Sequence, residues 1–322
     1  MSSQIFKTPM PYIALILAHM IWGANFVVAK ITLQEFPPMS LAFLRFALAS
    51  LFLAPFFLAE TKKVKIDKKD LPKLIAVGVF IITLNISFFF EGIKRTSVID
   101  ASVLILIIPM LSVLLGWWFL KEKVYLINLL GIALGFAGAL IIVGVPQIFA
   151  GNPPAGSPRE AGGSSQILLG NILIILAATS WVIGATISKK ILKNYSTLII
   201  TAIAFLVGTV TMFIPASFEY FQNPAWTEGV TILGILGLIF ITLLSSISAY
   251  FLFEWGLSKT SVIIADFFQY IEPLVATLLA IAILGETISV SFISGAVLIS
   301  VGVILGTFAK EAHHRHHKAH RM

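Results

Sequence analysis

The chain has 322 residues, 58% of them hydrophobic and 11% charged, a formal net charge of +7 and no cysteine. A soluble domain carries about 25% charged residues, so composition excludes a water-soluble globular fold. The missing thiols exclude disulfides, zinc–thiolate sites and cysteine nucleophiles.

Charges and turn residues cut the apolar mass into ten predicted helices, at 12–33, 38–59, 71–90, 98–120, 124–145, 167–188, 197–218, 230–253, 262–284 and 289–308. A membrane-spanning helix needs about 20 apolar residues, and these segments are too long and too uniformly apolar for barrel strands. The expected fold class is an all-α polytopic membrane protein. The first apolar run lacks a small-residue cleavage site and is read as a retained span, not a signal peptide. The expected organisation is a first half at 1–145, a Gly/Pro/Ser-rich linker at 146–166, a second half at 167–310 and a His-rich basic tail at 311–322. That tail holds five of the six histidines. Broken up by Arg, Lys and Ala, it is read as a solvated segment in preference to a metal site, and no metal or cofactor is expected.

With the N-terminus inside, 17 of the 22 basic residues fall in cytoplasmic segments, four fall outside, and Arg45 alone lies within a span. This is a positive-inside pattern. It predicts a multi-pass protein of the cytoplasmic (inner) membrane with both termini cytoplasmic. The basic balance encodes topology, so no nucleic-acid partner is expected.

The two halves repeat one another. On a shift of 164, Thr96-Ser97-Val98 overlies Thr260-Ser261-Val262, Pro109 meets Pro273, Glu122 meets Glu286, Gly131 meets Gly295 and Gly138 meets Gly302. Near the start of each half a shift of 159 aligns Trp22 with Trp181 and Lys30 with Lys189. Five spans is an odd number, so the second copy enters the membrane from the opposite side. Such inverted-topology repeats enclose a midplane site in carriers that work by alternating access. The expected architecture is two inverted five-helix repeats around a central cavity.

The same residues carry a resemblance. The segments HMIWGANFVVAK, KRTSVIDASVLILIIPMLSVLLGWWFLKEKV and SKTSVIIADFFQYIEPLVATLLAIAILGETISVSFISGAVLISVGVIL resemble the EamA-type carriers of the drug/metabolite transporter superfamily over residues 12–308, in two copies. The resemblance implies a 5+5 carrier with a central cavity, most often exporting amino acids or related metabolites. The halves are not chemically equivalent, since Ile108-Pro109 stands where the second half has Glu272-Pro273.

An ionisable group at mid-membrane usually faces a cavity or a partner. In the ninth predicted span Asp266, Gln269 and Glu272 recur at steps of three, with Tyr270 beside them, a polar stripe that either lines the cavity or forms buried pairs. Arg45 needs a carboxylate, backbone carbonyls or a substrate carboxylate; Asp100, Asp266 and Glu272 are its candidate structural partners. His19, Trp22 and Phe26 share a helix face, with Asn25 near it; His19 either titrates against substrate or hydrogen-bonds a neighbouring helix. Trp22 and Trp181 are candidate aromatic walls, and Asn85, Tyr250 and the Ser245-Ser246-x-Ser248 cluster are weaker candidates. Glu91, Glu122, Glu254 and Glu286 fall at predicted helix ends, where Glu122 and Glu286 suggest structure or gating; Pro109 and Pro273 are candidate helix breaks near the cavity.

These residues point to a secondary carrier, not an enzyme, that moves a small metabolite outward, with the proton as candidate coupling ion and a monomer or homodimer as the working unit. The alternatives are a passive facilitator or channel of the same fold and an intramembrane enzyme. No nucleotide-binding motif is present, so ATP-driven pumping by this chain alone is excluded.

Overall fold

The structure is a computed structural model, which describes residues 9–120, 130, 131, 133–135, 137, 138, 141, 163–260, 262, 265, 268–298, 300–302 and 305. Among the described residues there is helix and no strand. In lipid this is what the backbone requires, because helices satisfy every N–H and C=O within one segment.

Six helices are long and apolar enough to cross a membrane. They are α1 (Met10–Thr32), α2 (Pro38–Thr61), α3 (Leu71–Arg95), α5 (Gly163–Ile191), α6 (Thr197–Gln222) and α7 (Ile232–Lys259). Between them α4 runs over 98–120, and the second half ends in the shorter apolar helices α8 (Ile271–Leu284) and α9 (Val290–Gly302). Most of 124–145, the expected fifth span, lies outside the described residues, as do most of the linker and the His-rich tail. Helix α5 begins at Gly163, inside the stretch expected as linker. The chain is thus a multi-pass helical membrane protein.

Several spans change pitch midway, at corresponding places in the two halves. Gly78–Leu84 within α3 and Phe240–Ser248 within α7 are π-helical. Ile105–Ile107 within α4 and Phe268–Tyr270 just before α8 are tight 3-10 turns, each a short step ahead of the matched prolines Pro109 and Pro273. A proline removes one backbone donor and crowds the preceding turn, which explains the local tightening. π turns leave carbonyls and side chains displaced from the regular ladder and often mark functional positions.

The helices pack in one repeated pattern. Helix α1 lies against α7 and α8, α5 lies against α3 and α4, and α2 packs on α6. Exchanging the halves maps this set of contacts onto itself. Lys30, in the last turn of α1, donates to the carbonyl oxygens of Ile93 and Thr96 at 2.6 Å each. Its repeat mate Lys189 donates to those of Leu257 and Thr260, also at 2.6 Å. In both cases an ammonium neutralises the exposed carbonyls where a helix ends.

The connections are tied down by carboxylates. Glu219 accepts from the backbone N–H of Met39 and Ser40 and so caps α2, and Glu286 accepts from Val98 and Ile99 N–H and so caps α4. Glu35 accepts from the Thr231 hydroxyl and N–H, and these bonds hold its carboxyl below the usual carboxylate range. In the 62–70 connection the Lys73 ammonium, helped by Tyr195 and Asn194, holds the Asp70 carboxyl below its ordinary value.

A glycine brings α1 onto α8. A Cβ built on Gly23 of α1 meets Val275 Cβ at 2.8 Å and the Glu272 carbonyl oxygen at 2.9 Å. With hydrogen there instead, α1 and α8 cross in contact, and His19, one turn earlier on α1, is delivered to the Glu272 side chain.

Candidate functional site

Trp22, Asn25 and Phe26 share a face of α1 and form one wall of a cavity whose unfilled space, counting the part open to solvent, is about 480 Å³. Helix α2 adds Arg45; α3 adds Asn85, Ile86 and Phe89; α4 adds Ile105 and Ile108. From the second half come Trp181, Ser245, Tyr250, Gln269 and Glu272. The lining is apolar and aromatic with a few polar groups, the usual make-up of a small-molecule site.

The aromatic wall joins residues of both halves of the chain. Trp22 and its mate Trp181 meet edge to face at 5.2 Å, and Tyr250 packs on both at 5.3 and 5.9 Å. T-shaped pairs of this kind satisfy the ring quadrupoles. The Trp22 indole donates to the Ser245 carbonyl at 3.0 Å, one of the oxygens along the π-helical stretch of α7. Phe26 and Phe89 meet at 5.1 Å with perpendicular rings. Asn85, directly after the π-helical stretch of α3, donates to the Ala177 carbonyl at 2.9 Å.

Arg45 is 1% exposed. No carboxylate lies within ion-pair distance of it among the described residues, so the expected pairing with Asp100 or Glu272 is not what holds it. Its Nε donates to Ser246 Oγ at 2.6 Å and Nη2 to Ser245 Oγ at 3.3 Å, and its guanidinium carbon stands 4.8 Å from the Phe46 ring centre and 5.7 Å from that of Phe90. The physical reason is α7: its π-helical stretch turns two hydroxyls toward α2 where an aspartate or glutamate is absent. Nη1 has no partner among the described residues. Asn25 Oδ1 and Gln269 Oε1, on the same cavity, have none among them either. An unsatisfied buried polar group costs about 1–3 kcal/mol, so the cavity presents one cationic donor and two acceptors in want of a guest.

His19 sits behind this wall. Its Nδ1 is 2.6 Å from Glu272 Oε1 and its Nε2 is 3.3 Å from the Ala265 carbonyl oxygen. Asp100 stands in the first turn of α4, its N–H on Ser97 Oγ at 2.9 Å, away from the cavity lining. Glu286 caps α4, and Pro273 is buried beside Glu272. Pro109 falls in α4 and Tyr270 in the 3-10 turn before α8, with their side chains outside what is described; Asp266 and Glu122 lie outside the described residues.

Glu254 differs from its expected place at a helix end. It is buried within α7, both carboxyl oxygens 2.9 Å from Ser188 Oγ. The predicted eighth span stops one residue short of it, and Trp255 and Leu257 just beyond are the signal that the span continues. Among the described residues, no three His, Asp or Glu side chains converge as a metal site would require.

Curated relatives align over almost the whole chain. An uncharacterized transporter of Archaeoglobus fulgidus is 27% identical over 298 residues, covering 92% of this chain and 96% of that protein. A probable amino-acid metabolite efflux pump of Salmonella typhimurium is 27% identical over 304 residues, covering 91% and 93%. A solved crystal structure, 16% identical, superposes with a TM-score of 0.63 over 92% of this chain and 96% of that one, a likeness of fold alone. The sequence profile of the EamA-like transporter family matches residues 9–144 and 168–308. A multi-pass helical chain so matched in both halves belongs to the EamA-like transporter family.

Proposed function

We propose that this chain is a secondary carrier that moves an amino acid or a related small metabolite outward across the cytoplasmic membrane by alternating access. The observation that carries the reading is the cavity itself: a buried guanidinium with an N–H unpartnered among the described residues, a carboxyl side chain and two amide oxygens likewise unpartnered, all set against aromatic rings that meet edge to face. A molecule with a carboxylate and an ammonium on one carbon supplies both complements. Arg45 takes the carboxylate, Glu272, Gln269 and Asn25 take the ammonium, and Trp22, Trp181 and Tyr250 take an apolar side chain.

The ten-span inverted architecture rests on the two segments matched by the family profile, the self-mapping helix contacts and the matched lysine clamps. The cytoplasmic placement of both termini rests on the distribution of Lys and Arg. The outward direction is supported by the name of the Salmonella relative, a probable efflux pump. The test is counterflow. Liposomes holding the purified protein are preloaded with one unlabelled amino acid at a time and supplied outside with trace label. A carrier accumulates label transiently above equilibrium for its own substrates; equal, unaccelerated entry with every preload would mean a pore.

A further inference from the structure

The contact between His19 and Glu272 can be counted in protons. Both residues are buried, at 1% and 2% exposure, and Nδ1 lies 2.6 Å from Oε1. His19 Nε2 faces the Ala265 carbonyl oxygen at 3.3 Å. A carbonyl only accepts, so Nε2 carries a proton. A carboxylate oxygen and a bare imidazole nitrogen both only accept, so a 2.6 Å approach requires a second proton between them. Whether that proton sits on nitrogen or on oxygen, the pair is neutral as a whole and one proton richer than a free carboxylate beside a neutral imidazole.

The surroundings make that proton consequential. Glu272 also lines the cavity, within the same lining as the groups of Arg45, Asn25 and Gln269 that are unpartnered among the described residues. Titratable and charged groups on the packed elements are Lys30 at the far end of α1, Arg45 on α2, Asp100 in the first turn of α4, and Tyr250 and Glu254 on α7. None of these is in ion-pair contact with His19 or Glu272 among the described residues. Among the described residues, the proton of the pair is therefore what balances the Glu272 carboxylate in direct contact until a cation docks against it from the cavity.

We propose that the His19–Glu272 pair is a proton-binding site that exchanges its proton for the cationic head of the substrate, so that one proton crosses the membrane against each substrate molecule. The inference rests on the reading of the cavity as the substrate site. On docking, the hydrogen bond of the pair breaks and its proton passes to water. Glu272 remains a carboxylate against the incoming ammonium, and His19 remains neutral with its Nε2 proton on Ala265. On the far side the substrate leaves and a proton returns to the pair. Retaining both the proton and the ammonium would leave an uncompensated cation in a low-dielectric interior, which is why one replaces the other.

The experiment uses purified full-length protein in weakly buffered detergent with a pH-indicator dye, titrated with each of the standard amino acids. Expected for the wild type is release of about one proton per molecule bound, with affinity rising about tenfold per pH unit while the pair is protonated. Glu272→Gln should release none, and His19→Gln should release its proton over a displaced pH range, because Glu272 has lost its partner. Binding without proton release in the wild type, or equal release from Glu272→Gln, overturns the proposal. If no amino acid binds, the substrate reading fails by itself, and a ligand-free infrared titration decides the proton site. A carboxyl–imidazole signal lost in Glu272→Gln and shifted in His19→Gln supports it; superimposable titrations of all three proteins overturn it.

Discussion

Arg45→Met separates a substrate-binding guanidinium from one that merely holds the fold. Folding terms oppose one another. The substitution gives up the bonds to Ser246 Oγ at 2.6 Å and Ser245 Oγ at 3.3 Å and the ring contacts with Phe46 and Phe90. Hydrogen bonds to a charged group contribute about 1.5–3 kcal/mol each. Against this, an arginine at mid-membrane costs about 2.5–3.5 kcal/mol on insertion scales, and that cost disappears. Ser246 is not stranded, because its hydroxyl still donates to the Ile241 carbonyl at 2.9 Å. Two such bonds, about 3–6 kcal/mol together, against about 2.5–3.5 kcal/mol leave a net loss of at most about 3.5 kcal/mol, so the variant should fold. Binding has no such offset. A carboxylate on the free Nη1 loses a charge-assisted bond of about 1.5–3 kcal/mol, which is about 10- to 150-fold in affinity. The assay is binding of the tightest amino acid and of its carboxamide, to wild type and variant, together with thermal stability in detergent. The carboxylate ligand should weaken by that factor and the carboxamide by much less. An equal loss for both ligands, or a variant that binds the carboxylate as tightly as wild type, would refute the assignment of Arg45 to the substrate carboxylate.

The packing and the connections give two further outcomes. Gly23→Ala places a methyl 2.8 Å from Val275 Cβ and 2.9 Å from the Glu272 carbonyl, forcing α1 off α8; it should cost about 1–3 kcal/mol of stability and displace the pH dependence of substrate binding, whereas a variant with wild-type melting and pH profile would mean that the helices part freely. At the 62–70 connection the folded protein holds the Asp70 carboxyl below its ordinary value of 3.8, so its contribution is complete above that pH and is lost as pH falls through the lower, folded value. Melting of Asp70→Asn and wild type should therefore differ by a small margin near neutrality and converge in acid; a gap that widens in acid would reverse the sign.

What the sequence discloses and what it withholds divide along a physical line. Apolar mass, the charge distribution and the duplicated Trp, Lys, Pro and Glu positions are properties of the chain read in order, and a bilayer converts them almost directly into helices, because a helix satisfies its backbone within one segment and these segments are too long and uniformly apolar for a closed barrel. Trp22 and Trp181 are legible as mates in this way, and their rings meet. A lone Arg45 among apolar neighbours is likewise legible as an exception that needs an explanation. Its partner is not. Counting charges offers aspartates and glutamates, whereas α7 offers two serines 200 and 201 residues away, turned toward α2 by a stretch of π-helix that no local pattern of residues announces. The same holds for His19 and Glu272, 253 residues apart, which meet because Gly23 lets two helices cross without a side chain between them. Glu254 is hidden by a span boundary one residue too early, and a single turn of helix decides whether a carboxyl is solvated or buried. In a membrane the cost of burying a polar group makes its presence conspicuous, while the identity of its partner is set by crossing points and pitch changes at small residues. Function in such a chain is therefore to be sought where an exceptional residue and an irregular helix coincide, and the cavity wall formed by Arg45 and the π-helical stretch of α7 is where the two coincide here.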